Sequence, residues 1–187
     1  MKRYILAVTG ASGMPYALRL ARFLKDSPAC EMHLIVSGAA ARVMALETDT
    51  RPGELAAGAD AVHDIADIAA PPSSGSWLHS GMVVCPCSMA SLAAIANGLG
   101  SNLIHRAADV CLKEGRKLVL VPRETPFNQL HMENMLRAAR AGATILPACP
   151  GFYHRPSTLE DLVDHLVARI LDQLGIEHDL SRRWGGI

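Results

Sequence analysis

Serine, glycine and arginine occupy most of the positions at which this chain could do chemistry. T-G-A-S-G at 9–13 follows a short apolar run; Gly10 and Gly13 permit a tight turn, and Ser12 sets a hydroxyl where a helix would begin. Unpaired N–H groups at a helix start make such a turn an anion site. The same residues also serve as a plain strand-to-helix turn, and the motif alone does not separate the two readings. Ser88, Met89, Ala90 and Ser91 form a second candidate of this kind, at the start of a small-residue helix. Ser37 ends another apolar run, where a dinucleotide-binding domain would carry an acid for a ribose hydroxyl. A serine there suits a phosphate or ribityl oxygen, or simply caps the next helix. Glu47 closes that helix, where the dipole disfavours an acid; it is either a surface residue or one with a task. Arg123 and Glu124 directly follow a buried-type strand. They form an opposite-charge pair suited to acid/base and phosphate chemistry, or a local salt bridge. Tyr153 lies just past the last strand.

Other chemistries find less support. Cys85-Pro86-Cys87 lacks the C-x-x-C spacing, and the eight histidines show no H-x-x-x-H or H-E-x-x-H, so no protein-bound metal is expected. Cys85 and Cys87 read as packing residues, since buried cysteine behaves as a small hydrophobe. Asp60, Asp64 and Asp67 fall short of the D-D-x-x-D of magnesium-dependent prenyl-diphosphate enzymes and read as a solvated face. The Pro/Ser/Gly loop at 71–76 is either a surface connection or a cover over a ligand.

The positioning elements alternate. Strands are expected at 4–8, 31–37, 82–86, 117–122 and 143–147, with helices at 14–25, 39–47, 88–96, 102–114, 129–140 and from the S-x-x-E capping box at 157–160 to about 174. Arg106 and Lys113, seven apart, share a face of one helix. The helix at 88–96 has no polar face and should be buried, in the domain or at a subunit boundary. Alternating strand and helix predicts a parallel sheet covered on both faces, with ligands beyond the strands' carboxyl ends.

Composition sets the frame. The 187 residues suit one domain, taken as 1–175, with a tail at 176–187 that docks on a neighbouring subunit. Eighteen basic and 18 acidic residues cancel, which argues against binding nucleic acid by bulk charge. The apolar run at 4–8 is too short for a signal peptide, and no stretch approaches a membrane span. Five cysteines without a secretory signal fit a reducing cytoplasm.

Together these stretches resemble the UbiX family of flavin prenyltransferases over nearly the whole chain. The matching pieces are T-G-A-S-G at 9–13, Ser37, Glu47 in L-E-T-D, S-S-G-S at 73–76 and C-P-C-S at 85–88. R-A-A-D-V-C-L-K-E at 106–114 runs on into L-V-L-V-P-R-E-T-P at 118–126, and P-G-F-Y-H-R-P at 150–156 and R-I-L-D-Q-L-G at 169–175 complete the set. The resemblance implies an α/β, flavodoxin/Rossmann-like three-layer fold with a central parallel sheet. It also implies a metal-independent enzyme, a dodecamer built from trimers, that joins the dimethylallyl group of dimethylallyl phosphate to reduced FMN at N5 and C6. The product, prenylated FMN, serves a UbiD-type decarboxylase in ubiquinone synthesis or aromatic-acid breakdown. By the same resemblance Gly10, Ala11, Ser12, Ser37, Ser88–Ser91 and Arg123 contact FMN, and Tyr153 and Arg169 bind the donor. Arg106, Lys113, Arg123 and Glu124 complete the phosphate pocket, some from neighbouring subunits, and Ser12 and Glu47 assist catalysis, Glu47 by moving protons at the flavin. Ile68 stands where some members carry an aromatic residue. The donor could be the monophosphate or the diphosphate. Without a metal, charge gained by a departing phosphate must be met by cations and hydrogen-bond donors, and Arg106, Lys113, Arg123, Arg169 and Tyr153 are such a set.

Three rivals are weighed. A short-chain reductase would need Y-x-x-x-K, which none of Tyr4, Tyr16 or Tyr153 begins. A flavin-dependent cysteine decarboxylase would carry a P-x-M-N-x-x-M-W-like segment, which is absent. A non-catalytic FMN carrier, or a subunit of an aromatic-acid decarboxylase, is the non-enzyme alternative.

Overall fold

Six strands line up in parallel in the order β3-β2-β1-β4-β5-β6 in the computed structural model, which describes residues 1–181, Arg183 and Gly185. They are β1 (Lys2–Val8), β2 (Cys30–Val36), β3 (Ala61–His63), β4 (Gly81–Cys87), β5 (Leu118–Pro122) and β6 (Thr144–Ile145). Between and after them run α1 (Met14–Asp26), α2 (Gly38–Glu47), α3 (Pro52–Ala57), α4 (Met89–Ala96), α5 (Leu103–Lys113), α6 (Gln129–Arg140) and α7 (Leu159–Leu174).

Side chains alternate across each strand, so β1 feeds two separate cores. Tyr4, Leu6 and Val8 pack with Leu20 and Leu24 of α1 and Ile170 and Leu171 of α7. Ile5 and Ala7 pack with Leu92 of α4, Ala107 and Cys111 of α5, and Ala138 of α6. This is the three-layer α/β arrangement expected, with α1 and α7 on one face and α4, α5 and α6 on the other. Among the described residues no helix is long and apolar enough to cross a membrane.

Several boundaries differ from expectation. The final strand shrinks to two ladder residues, Thr144 and Ile145. The edge continues through single bonds from Leu146 N to Leu120 O (2.8 Å) and Ala148 N to Pro122 O (3.0 Å). The capping box of α7 is one residue further on than S-x-x-E suggested. Thr158 is the N-cap and Asp161 the reciprocating acid, which also accepts from the N–H and hydroxyl of Ser157. Helix α4 buries Leu92, Ala94 and Ile95 but leaves Ala90 exposed, so its apolar outer side is not covered by this chain. Of the tail motif R-R-W-G, Arg182 and Trp184 lie outside the described residues.

Strand order reverses between β1 and β4: the chain steps from β1 outward to β2 and β3, and β4 lies on the other side of β1. In open parallel sheets a crevice forms at this point, beyond the carboxyl ends of the strands. The turns after β1, β2 and β4 all meet there.

Candidate active site

Thr9, which follows β1, ties the crevice together. Its hydroxyl donates to Pro86 O (2.8 Å) and accepts from Ser88 N (2.8 Å), while Ser37 N reaches back to Val8 O (3.0 Å). Three helix starts are thereby held side by side. A Cβ on Gly10 would lie 2.5 Å from Ala39 Cβ, so only glycine allows α2 this close to the end of β1.

Ser37 caps α2, its Oγ accepting from Ala40 N at 3.1 Å, and Ser88 caps α4, its Oγ accepting from Ser91 N at 3.2 Å. Ser12 does not cap α1. The N-cap is Gly13, in the left-handed region at φ 119°, and the cap is supplied from 34 residues away. One Glu47 oxygen accepts from both Gly13 N and Met14 N at 2.9 Å. Burial pushes the Glu47 carboxyl up. Hydrogen bonds from Ser12 and the two amides, with the Arg123 charge, outweigh that and hold it below the usual carboxylate range. The start of α1 therefore holds an anion of the chain's own, the Glu47 carboxylate.

Arg123 donates from Nε to Ser12 O at 3.3 Å and does not form the expected pair with Glu124, which accepts from Thr125 N at 3.0 Å. Arg123 stands between two hollows. One, of about 780 Å³, runs past Ser12, Gly13, Tyr16 and Glu47 to Leu159 and Val163 of α7; Arg19, bound to Asp164 at 2.5 Å, forms part of its wall. The other, of about 250 Å³, lies between Arg123, Glu124 and Cys149.

The remaining candidates lie elsewhere in the single chain. Tyr153 Oη sits 2.9 Å from His165 Nε2 on α7. Arg169, one turn further along α7, donates to Asp172 at 2.6 Å; Asp172 also takes Arg183 (2.6 Å) and His178 (3.1 Å). Arg106 pairs with Asp109 at 2.6 Å, and Lys113 pairs with Glu114 where α5 ends, near Gly75. Helix α5 covers the sheet face opposite α7, so one chain does not bring Arg106 and Lys113 together with Tyr153 and Arg169. The loop at 71–76 is likewise turned to this far face, where Arg116 holds the carbonyls of Gly75 and Trp77. Ile68 is exposed.

Cys85 and Cys87 are inert by environment. Burial pushes Cys87 up to about 12 and Cys85 higher still, so neither forms a thiolate near neutral pH. Sequence reasoning missed Thr9, His165 and Asp172. Thr9 belongs to the quoted motif, but its partners lie almost 80 residues away. His165 and Asp172 read as ordinary positions on an amphipathic helix.

The crevice presents hydroxyls, open helix starts and one guanidinium beside a hollow large enough for a ring system. That donor set fits a flavin mononucleotide. Residues 1–171 match the protein family described as Flavoprotein, which sets the class. The flavin prenyltransferase UbiX of Pseudomonas aeruginosa is 51% identical over 198 aligned residues, covering 98% of this chain and 94% of that one. A probable UbiX-like flavin prenyltransferase of Escherichia coli O157:H7 is 49% identical, covering 99% and 94%. The chain belongs to the UbiX family of flavin prenyltransferases. Among solved structures, AnUbiX in complex with FMN and dimethylallyl pyrophosphate superposes with a TM-score of 0.97 at 45% identity, covering 100% of this chain and 98% of that one. A dodecameric FMN-dependent UbiX-like decarboxylase from E. coli O157:H7 superposes at 0.96 and 49%, covering 98% and 100%. The peptidyl-cysteine decarboxylase EpiD, at 0.62 and 15% over 92% and 97%, shares the fold.

Proposed function

We propose that this chain joins the dimethylallyl group of dimethylallyl phosphate to reduced FMN at N5 and C6, releasing inorganic phosphate. The prenylated FMN so made passes to a UbiD-type decarboxylase. The observation that carries the reading is the near-complete superposition on AnUbiX, whose complex holds both FMN and a dimethylallyl donor.

Bound reduced FMN supplies the nucleophile. The protein's part is to hold the phosphate ester, take up the charge its departure creates, keep water out and manage protons. Ser37, Ser88–Ser91 and the adjoining helix starts hold the FMN phosphate; Gly10, Ala11, Ser12 and Arg123 border the ring. Tyr153 and Arg169 grip the donor phosphate, with Arg106, Lys113 and Glu124 contributed by adjoining subunits of a dodecamer. Glu47, kept ionised, accepts a proton near the flavin and passes it through the Ser12 hydroxyl. The tail after Gly175 docks on a neighbouring subunit. The protein works in the cytoplasm, in keeping with its five free thiols.

Anaerobic incubation with reduced FMN and dimethylallyl phosphate should give a product heavier than FMN by one prenyl unit. A purely FMN-carrying protein would return FMN unchanged, and mass spectrometry separates the two. Arg169→Ala should abolish turnover while FMN titration stays as in the wild type. Equal loss of FMN affinity would overturn the division of roles between Arg169 and the crevice.

A further inference from the structure

His165 is buried on α7 and makes two hydrogen bonds that fix its ring. Gly151 N donates to Nδ1 at 3.2 Å. A backbone N–H can only donate, so Nδ1 carries no hydrogen and a neutral ring bears its proton on Nε2. Nε2 lies 2.9 Å from Tyr153 Oη. The imidazole is therefore the donor in that bond and the phenol oxygen the acceptor, and the phenol's own hydrogen is directed to an acceptor other than His165.

We infer that His165 is a positioning residue for prenyl transfer: it orients Tyr153 so that the phenol O–H is presented to the phosphate of the allylic donor. The inference rests on the reading of Tyr153 as a phosphate ligand. Two features support it. His154 stacks on His165 with ring centroids 4.7 Å apart and planes within 5°, which fixes the ring's plane from a second side. Burial, then the His154 ring and the Arg169 charge, hold the His165 pKa below the ordinary imidazole value, so the neutral ring with Nε2–H persists. Arg169 follows His165 by four residues on the same helix face, so the chain's two proposed phosphate ligands are set by neighbouring positions of α7.

Three substitutions separate positioning from simple support of the loop. His165→Phe keeps the ring and loses both hydrogen bonds. His165→Gln returns an N–H near the place of Nε2, and His165→Asn returns an acceptor near the place of Nδ1 but leaves the phenol without its donor. His165→Phe should raise KM for dimethylallyl phosphate by roughly three- to tenfold, the worth of one hydrogen bond, with FMN affinity unchanged. His165→Gln should recover most of that loss and His165→Asn little of it. In a Tyr153→Phe background, His165→Phe should add nothing further. Recovery by His165→Asn instead of His165→Gln would assign His165 to holding Gly151 and overturn the inference. So would a His165→Phe enzyme that matches the wild type while Tyr153→Phe is impaired. If Tyr153→Phe itself matches the wild type, the reading of Tyr153 fails first, and the inference with it.

Discussion

Glu47 ends α2, where the helix dipole disfavours an anion, yet its carboxylate takes two N–H groups at the start of α1, where the dipole favours one. That exchange explains an acid placed at a helix C-terminus and makes a stability prediction. Removing the cap with Glu47→Ala should cost about 1 kcal/mol, the usual loss for an N-cap acceptor, read by urea denaturation at neutral pH. The pH dependence follows from the direction of the shift. The folded-state pKa lies below the unfolded value near 4.5, so the unfolded chain binds the proton more readily. The stabilisation is complete above about pH 4.5 and fades as pH falls through the folded value. The gap between wild type and Glu47→Ala should therefore narrow in acid. A gap that stays constant from neutral pH into acid would mean that the carboxylate's charge does not cap α1. The sequence placed Ser12 correctly beside a helix start but gave no sign that Glu47 caps it. A cap that comes from 34 positions away leaves no local signal.

At the scale of elements, the alternation of strands and helices was readable because a doubly covered parallel sheet demands continuous apolar strands, and L-V-L-V-P is such a run. The edge was less readable: β6 pairs along one side only, and nothing in A-T-I-L-P announces where its ladder stops. The approach of β1 to α2 was not readable either, since T-G-A-S-G reads as a turn whichever helix lies beside it. The structure gives Gly10 a definite partner in Ala39. Gly10→Ala should push α2 away from the end of β1, displace Ser37 and weaken FMN binding. Ala39→Gly removes the methyl group that the new Cβ would meet, so the double variant should bind FMN better than Gly10→Ala alone. Fluorescence titration of flavin measures this, and a double variant no better than the single one would show that α2 packing is not what Gly10 protects.

The whole molecule sets the remaining problem. The buried side of α5 faces one core and that of α7 the other, so Lys113 and Arg169 of a single chain lie on opposite faces of the sheet. The cationic set is proposed from residue types and from family resemblance; which chain would supply each member is not readable, because sequence carries no record of subunit arrangement. If both residues serve one phosphate, they must come from different copies, in keeping with a structural relative that is a dodecamer. Lys113→Ala and Arg169→Ala should then each be inactive alone and complement each other when co-expressed. In random mixed assemblies about a quarter of the sites would pair an intact Lys113 from one copy with an intact Arg169 from another, given an interface shared by neighbouring subunits. Product formation by the purified mixture, with each parent shown by size to assemble normally, measures the effect. Mixed assemblies no more active than their parents would place the two residues in separate sites and leave the donor phosphate with fewer cations than the chemistry requires.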